Sequence, residues 1–483
     1  MAESLKQQAI FGIIWSSIQK FGTLIISFLS NLVLARLLSP TDFGTIGILM
    51  VFIALSGTLV DGGFGSALIQ KKNPTNTDYS TIFYWNIILA IFLYAFLFLT
   101  APAIASFYDE SALSELLRVL GIILLINSFN IIQSNILTKN LKFKVLAQRD
   151  LISTSIGAIV AITLAYKGFG IWSLVVNHIV IGIIKSILLW AVCSWRPQLI
   201  FNYGSFKELF GFGGFILSSN LINTLCNNIQ GLIIGKVFTI QDVGFYTQAR
   251  KLEEIPSTSF SAIVVQVAYP IFSKVQNDLD KLKNALQRIS MLMASFVFPA
   301  MILLIVIAKP LIIFLFTDKW SESIPYFQIL CIGGIAISLQ NINYSVVAAL
   351  GRSRSLFKWT VIKRSLGLIF LGVGTLFGMK GLLFGVVLGS YLIYIINASL
   401  ASHYLKYSLI SQLRDLIGIL IISVITGLIV YYLSTLLSLA HYLIIFIISI
   451  MFLLVYILLL RIFYNTLFQE IKSLVKNYLI WRK

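Results

Sequence analysis

Four charged residues, Arg250, Lys251, Glu253 and Glu254, lie together in a segment that otherwise has the composition of a membrane-spanning helix. Charge at the centre of a bilayer costs roughly 2.5–3.5 kcal/mol per residue on insertion scales, so such residues usually face a bundle interior or a water-filled cavity. Residues three or four apart meet on one helix face, so the four can neutralise one another. Alternatively, one or both cations bind an anionic head group, while Glu253 and Glu254 tune or release it.

Two further cations and one carboxylate lie inside predicted spans. Lys20 lies in the first span and is expected to assist the cations above in binding an anion. Lys185 lies in the sixth span, where its long side chain can simply extend to the membrane surface. Asp61 is a candidate for ion coupling, but it lies near the basic end of the second span. That position favours a gate or a salt bridge at the helix end.

Polar side chains recur at steps of three and four on four predicted helices, so each set shares one helix face. Such stripes can serve interhelical hydrogen bonding, which is common for Ser, Thr and Asn in lipid. Their recurrence on corresponding helices, together with charge inside the spans, favours a hydrated central cavity. The residues expected to line it are Ser27 and Asn31 in the first helix, Asn127 and Asn130 in the fourth, Asn220, Asn223 and Asn227 in the seventh, and Asn341 in the tenth.

The composition defines the elements that must position these residues. The chain of 483 residues is 58% hydrophobic and 11% charged, which excludes a soluble domain and indicates an all-α polytopic membrane protein. The cysteines and histidines are scattered without metal-ligand or redox spacing, so we expect no disulfide framework and no zinc or haem site. We also expect no other cofactor and no enzymatic activity. A net charge of +18 raises the possibility of nucleic-acid binding. The concentration of Lys and Arg on one side of the membrane accounts for most of this charge instead.

Taking about 20 apolar residues as one span, the sequence predicts about fourteen helices. They lie near 11–36, 43–69, 80–101, 114–138, 151–166, 170–193, 210–236, 243–271, 287–308, 323–350, 356–377, 381–403, 413–435 and 441–464. With these spans, most Lys and Arg residues lie in loops on one side of the membrane. By the positive-inside rule, both termini are cytoplasmic. A proline at position 256, just after the charge cluster, predicts a break in the eighth helix.

An internal repeat organises the chain. The segment Asn31–Gly44 reappears as Gly231–Gly244, with a basic residue, an acidic residue and a final glycine at matching places. The pattern predicts a helix end, a turn whose acidic residue caps the next helix, and a glycine that opens it. Because the copies lie six spans apart, they predict two parallel six-helix lobes around a central site. We expect lobes at 1–200 and 201–408, with an extra helix pair and a cytoplasmic tail at 409–483.

Several segments together resemble one known family. Gly12–Ser17, Asn31–Gly44, Asp61–Gln70, Asp78–Trp85 and Ser205–Gly213 are similar to the polysaccharide transporter, or Wzx-type O-antigen flippase, family. That family belongs to the superfamily that also contains MATE-type multidrug exporters and lipid II flippases. The resemblance covers essentially the whole chain and implies two MATE-like six-helix lobes around a cavity, followed by two extra helices.

The resemblance also implies a function. The expected substrate is an undecaprenyl-pyrophosphate-linked oligosaccharide, carried across the bacterial inner membrane for surface polysaccharide assembly. Arg250, Lys251 and Lys20 match by chemistry the cationic residues that would engage the pyrophosphate. A polymerase or another assembly protein is a possible partner, and nucleic acid is not expected. The alternatives are a MATE-type multidrug exporter, which would want an acidic cavity, and a membrane glycosyltransferase or polymerase, which would want paired acids or a large external loop.

Overall fold

The computed structural model describes residues 2–435 and 440–480, and every regular element within those ranges is helical. Twelve of these helices are long and apolar enough to cross a membrane, or thirteen if one bent pair counts as a single span. The protein is therefore a multi-pass helical membrane protein, as predicted. Its contacts group into two compact units, Met1–Gly244 and Phe245–Lys483. The proposed lobes at 1–200 and 201–408 and the parallel repeat layout stay predictions.

The first unit is built from ten helices and the start of an eleventh. In chain order these are α1 (Ala2–Leu37), α2 (Pro40–Asp61), α3 (Phe64–Gln70), α4 (Asn76–Phe107), α5 (Ala112–Leu120), α6 (Ile122–Ser128), α7 (Ile131–Lys139), α8 (Phe143–Tyr166), α9 (Trp172–Val192), α10 (Tyr203–Val237) and α11 (Ile240–Glu254). Helix α8 packs between α1 and α9, whereas α10 packs against α2 and α3. The α8 helix thus joins the first span to the sixth.

The repeated turn has the predicted capping geometry in both copies. The side-chain oxygen of Ser39 accepts a hydrogen bond from the backbone N–H of Asp42, and the Asp42 carboxylate accepts one from the backbone N–H of Ser39. Thr239 and Asp242 make the same two bonds. This reciprocal arrangement satisfies N–H groups that have no partner within the helix. The prediction that the acidic residue caps the following helix is therefore confirmed.

The glycines that close the two copies lie against backbone. A Cβ atom built on Gly44 would lie 1.8 Å from the carbonyl oxygen of Ile240, and one built on Gly244 would lie 2.0 Å from the carbonyl oxygen of Pro40. Each glycine thus opens its helix and lets the first turn of the other helix approach. Any larger residue would force the two helix ends apart.

The second unit continues from α11 through a short π-helical turn, Ile255–Ser259, and nine further helices. These are α12 (Phe260–Val275), α13 (Leu279–Val306), α14 (Ala308–Phe316), α15 (Ser323–Ala349), α16 (Ser353–Thr375), α17 (Gly378–Leu405), α18 (Leu409–Thr435), α19 (His441–Phe463) and α20 (Asn465–Ile480). The α15 helix contacts α12, α13 and α17, and most of its side chains are buried. It is the centre of this unit.

All fourteen predicted spans have a helical counterpart, but the count of fourteen stays a prediction. The difference between thirteen and fourteen spans is helix α16. It carries Lys358, Lys363 and Arg364 and is not among the twelve helices with the composition of a span. Helices α8 and α13 begin about two turns earlier than predicted. Their first turns are polar, and the Asp278 side chain accepts the Lys281 N–H and caps α13. The predicted cytoplasmic tail also contains a helix, α20.

Candidate functional site

The charge cluster lies on the last turn of α11, in the second unit. Arg250 donates from Nε to the Glu254 carboxylate at 2.8 Å and from Nη1 to the Tyr246 hydroxyl at 2.8 Å. Lys251 lies on the exposed side of the helix. Of the pairings open at i+3 and i+4, the Arg250–Glu254 ion pair is therefore formed. Arg250 is held in place by a carboxylate whose side chain is 41% exposed.

Glu253 points in another direction. It is 2% exposed, and its Oε1 accepts no hydrogen bond from any residue that the structure describes. A Cβ atom built on Gly334 of α15 would lie 2.4 Å from that oxygen and would also touch the Met301 side chain. Gly334 thus leaves the space that the carboxyl group occupies. A buried carboxyl oxygen without a hydrogen bond is costly, so Glu253 is a candidate for function rather than stability.

The helix does not break after the cluster. Pro256 lies in the π-helical turn Ile255–Ser259, after which α12 continues the same span. Proline removes one backbone donor and crowds the preceding turn, and a π-turn accommodates both by widening the helix. Such turns occur frequently at functional sites. The predicted break is therefore a change of helix type directly beside Glu253 and Glu254.

The first unit contains an open cavity of about 280 Å³, lined mostly by residues with polar or charged side chains. Its lining combines three amides, one hydroxyl, three charged groups and one apolar side chain from α2, α6, α7, α8, α9 and the α6–α7 junction, namely Asp61, Asn127, Asn130, Ile131, Ser134, Asn135, Arg149 and Lys185. The structure thus brings together the predicted residues Asp61, Asn127 and Asn130 and the sixth-span lysine. We name this the α6–α7 cavity.

An ionic network forms one wall of the α6–α7 cavity. The buried Asp150 carboxylate accepts from Arg149 Nε at 2.9 Å, lies 3.4 Å from the Lys185 ammonium, and also accepts from the Gln19 amide of α1. Arg149 uses Nη1 to donate to the Ser134 hydroxyl at 2.8 Å. Sequence reasoning placed Arg149 in a loop and missed Asp150, because a span defined by apolar residues ends at the first charge. It also left Lys185 without a partner, which the structure supplies.

The fourth span is broken at this cavity. Helices α5 and α6 on one side and α7 on the other meet at a bend of 40°. Asn130 lies at the bend; it is 8% exposed, and its Oδ1 accepts no hydrogen bond from the described residues. Interrupted helices in membrane proteins occur where the backbone is buried in protein or lines a cavity. The bend therefore marks the cavity as more than a packing defect.

The other predicted site residues lie mostly on exposed helix faces. Asn31 is half-buried and has a partner. Those that are exposed within their unit are Lys20 and Ser27 of α1, Asn220, Asn223 and Asn227 of α10, and Asn341 of α15. Their role as the lining of a central cavity stays a prediction. Lys363 was missed: it is 5% exposed, and its ammonium donates to the Asn397 side chain at 2.7 Å.

A bundle of membrane-length helices with charged and amide groups buried inside it is the architecture of a membrane transporter. Residues 33–325 match the sequence profile of polysaccharide biosynthesis proteins. The chain is also 30% identical over 358 residues, 74% of each chain, to the teichuronic acid biosynthesis protein TuaB of Bacillus subtilis (strain 168). The chain therefore belongs to the polysaccharide biosynthesis protein family.

Other similarities agree with this assignment. The chain is 26% identical to the lipopolysaccharide biosynthesis protein WzxC of Escherichia coli (strain K12), over 82% of this chain and 81% of the relative. Its fold is similar to that of the lipid II flippase MurJ in an inward closed conformation, with a TM-score of 0.76 and 17% identity over 94% of this chain and 99% of the other. At that identity the likeness shows a shared fold.

Proposed function

We propose that the protein flips undecaprenyl-pyrophosphate-linked oligosaccharide units across the bacterial cytoplasmic membrane, for assembly of a surface polysaccharide. The observation that carries the proposal is family membership. Relatives include TuaB, WzxC and the succinoglycan biosynthesis transport protein ExoT of Rhizobium meliloti (strain 1021), whose names refer to surface polysaccharides or their transport. A protein whose charges lie inside helices, in α8, α9 and α11, suits transport through the membrane.

The chemistry of the substrate fits these groups. A polyprenyl tail can stay in lipid, whereas pyrophosphate and sugars need cations, amides and water. Arg250 is the strongest candidate for a pyrophosphate oxygen, because guanidinium binds phosphate and carboxylate in the same bidentate manner. Its carboxylate partner on Glu254 is partly exposed, so the phosphate can replace it. Lys251 and Lys20 are exposed cations that can contribute to the same attraction.

Glu253 and Glu254 have different roles in this proposal. Glu254 holds Arg250 while no substrate is bound and takes it back when the substrate leaves. Glu253 is buried beside the π-turn, where a change in its contacts accompanies rearrangement of the helix. Alternating access then needs no covalent chemistry. The distribution of Lys and Arg orients both termini toward the cytoplasm, where the lipid-linked unit is loaded. We propose a polymerase that acts on the exported unit as a partner.

The test neutralises the two cationic side chains of α11 while the protein is still produced at normal abundance. In the native host, the gene is deleted and replaced by an Arg250→Gln, Lys251→Gln variant, with Lys274→Gln, Lys281→Gln as the matched control. Lys274 and Lys281 are exposed, and Lys281 pairs only with the neighbouring Asp278 among the described ion pairs. We expect the first variant to accumulate lipid-linked glycan and lose surface polysaccharide, while the control exports normally at equal protein abundance.

Two outcomes contradict different parts of the proposal. Full export by Arg250→Gln, Lys251→Gln at normal abundance removes these residues from the substrate path. Normal surface polysaccharide after deletion of the gene, combined with increased sensitivity to cationic dyes, favours a multidrug exporter instead. Fluorescent lipid-linked glycan in proteoliposomes, with and without the protein, then decides whether the protein itself moves the lipid.

A further inference from the structure

An open groove of about 670 Å³ runs between α12 and α13 in the second unit. It lies between the 260–271 face of α12 and the 284–296 face of α13, and we name it the α12–α13 groove. Of the described residues that line it, only Asn284, Arg288 and Glu470 are polar. Both helices belong to membrane-length spans, so hydrocarbon fills an open apolar groove between them at lower free energy than water does.

The two ends of the groove differ in chemistry. At one end the Phe260 and Phe296 rings meet across the helix pair, with their centroids 6.0 Å apart. At the other end Arg288 Nε donates to the Glu470 carboxylate of α20. The spans predicted from the sequence end at 271 and begin again at 287, which places Arg288 at the membrane surface. The groove therefore runs from a charged mouth to an aromatic floor inside the membrane.

The length of the groove matches one leaflet. From Asn284 to Phe296 it follows α13 for roughly 18 Å at 1.5 Å per residue. The hydrocarbon core of a bilayer is about 30 Å thick, so one leaflet contributes about 15 Å. One acyl chain of a phospholipid can thus lie along the groove while its head group stays at the charged mouth.

Arg288 can bind a phosphate without releasing Glu470. Its Nε makes the contact with Glu470, whereas Nη1 and Nη2 donate to no residue in the described part of the chain. The Arg288 side chain is 66% exposed, so these two nitrogens are accessible. Paired N–H groups of a guanidinium match two oxygens of a phosphate. The ion pair therefore leaves an anion-binding edge at the mouth of the groove.

Glu470 restricts which head group fits. Its carboxylate lies against Arg288 and repels a head group with excess negative charge, such as a pyrophosphate. A phosphoethanolamine head group carries one phosphate and one ammonium, so it can place the phosphate at Arg288 and the ammonium at Glu470. An ammonium group has N–H donors for a carboxylate, and the two charges of the head group then face opposite charges of the protein.

We propose that the α12–α13 groove binds phosphatidylethanolamine, with one acyl chain along the groove and the head group across Arg288 and Glu470. This inference goes beyond the proposed function, because the phospholipid is a bound ligand and not the transported substrate. In the predicted topology the mouth faces the cytoplasm, so the lipid comes from the cytoplasmic leaflet.

The experiment measures lipid binding to the full purified chain by native mass spectrometry. The probes are phosphatidylethanolamine, phosphatidylcholine and phosphatidylglycerol with the same acyl chains, and undecaprenyl phosphate as a competitor. We expect phosphatidylethanolamine to bind the wild type most tightly. Phosphatidylcholine has no N–H to donate to Glu470, and phosphatidylglycerol has no ammonium group, so each should bind about tenfold more weakly. Undecaprenyl phosphate should not displace phosphatidylethanolamine.

Two charge variants test the head-group contacts. Arg288→Gln should weaken phosphatidylethanolamine binding about tenfold. Arg414→Gln is the matched control, because Arg414 is an exposed arginine of the same unit that does not line the groove, and it should bind lipid like the wild type. Glu470→Gln should abolish the preference, so that phosphatidylglycerol binds at least as tightly as phosphatidylethanolamine. A purely structural ion pair would not change the lipid preference in this way.

Val267→Trp tests the groove itself. Val267 is 62% exposed within the groove wall, so a larger side chain there occupies the groove without entering the protein core. It should weaken all three phospholipids about equally. Val373→Trp is the matched control, because Val373 is a 50% exposed valine of α16 that does not line the groove. It should leave lipid binding unchanged.

The inference is overturned if phosphatidylglycerol binds the wild type more tightly than phosphatidylethanolamine, or if undecaprenyl phosphate displaces phosphatidylethanolamine. It is also overturned if Arg288→Gln and Val267→Trp both bind phosphatidylethanolamine like the wild type. None of these readouts depends on export, so they stand or fall separately from the flippase function.

Discussion

The contact between the two repeated glycines makes a quantitative prediction about stability. Replacing Gly44 by alanine places a methyl group 1.8 Å from the carbonyl oxygen of Ile240, where ordinary contact begins at 3.4 Å. The obstacle is backbone at the start of α11 and not the end of a flexible side chain, so rotation of a side chain cannot relieve it. The first turns of α2 and α11 must move apart.

Overpacking of this kind typically costs about 1–3 kcal/mol, and a backbone obstacle favours the upper value. Alanine in a helix interior stabilises the folded protein by about 0.5–1 kcal/mol relative to glycine. The net destabilisation of Gly44→Ala is therefore about 2 kcal/mol. For soluble domains of 150–250 residues this corresponds to a melting temperature lower by about 4–8 °C, and we expect a shift of that order in detergent.

The assay is thermal unfolding of the purified variants, monitored by fluorescence. Gly57→Ala is the matched control, because Gly57 lies in the same helix and a Cβ atom there meets nothing within 4 Å. It should be as stable as the wild type or slightly more so. The double variant Gly44→Ala, Gly244→Ala should be destabilised by less than the sum of the two single variants. Gly44→Ala already separates the first turns of α2 and α11, which Gly244→Ala would also push apart. Equal stability of Gly44→Ala and Gly57→Ala, or strict additivity in the double variant, would refute the reasoning.

Two further predictions concern ionic contacts in the first unit. Lys71 lies between Asp78 at 3.1 Å and Glu208 at 3.0 Å; burial lowers its pKa, but the hydrogen bonds to Glu208 and Asp78 outweigh it and raise the pKa above the ordinary value. From neutral pH up to about pH 10.4 the stability it contributes is therefore present, and it is lost as the pH rises further. The melting temperatures of wild type and Lys71→Met should differ over that range and converge above it; convergence near neutrality would contradict this. Arg149→Lys cannot keep the bonds to both Asp150 and Ser134, and we expect export to fall about tenfold, measured as surface polysaccharide at equal protein abundance; full export would show that the network is dispensable.

The spans and turns could be predicted because their signals are local. An apolar run of about 20 residues must be a helix in lipid, since only a helix satisfies its own backbone within one segment. A Ser or Thr three residues before an Asp, just ahead of an apolar run, is a local signal for a helix cap, and Ser39 and Thr239 both act in this way. For the same reason the i+4 pair of Arg250 and Glu254 was among the predicted alternatives.

The ionic wall of the α6–α7 cavity could not be predicted, because its members are distant in sequence. Gln19 lies 131 positions before Asp150, and the charges at the start of α8 resemble the end of a span until α1 and α9 are packed against them. The same holds for Gly334, whose function as space for the Glu253 carboxyl exists only after α15 packs on the π-turn. The sequence shows the glycine, but only the packed structure shows that the Glu253 carboxyl lies against it.

The burial of the acidic partners distinguishes Arg250 from Arg149 as a candidate for binding an anion. Arg250 and Arg149 each hold a carboxylate in this structure, so an anion must compete with that carboxylate in either place. The Glu254 side chain is 41% exposed and can be rehydrated when it is displaced, whereas the Asp150 side chain is 12% exposed and has three partners. Displacing Asp150 would leave a buried charge uncompensated, which costs far more than displacing an exposed one. An anionic head group should therefore exchange at Arg250, while the network around Arg149 stays intact.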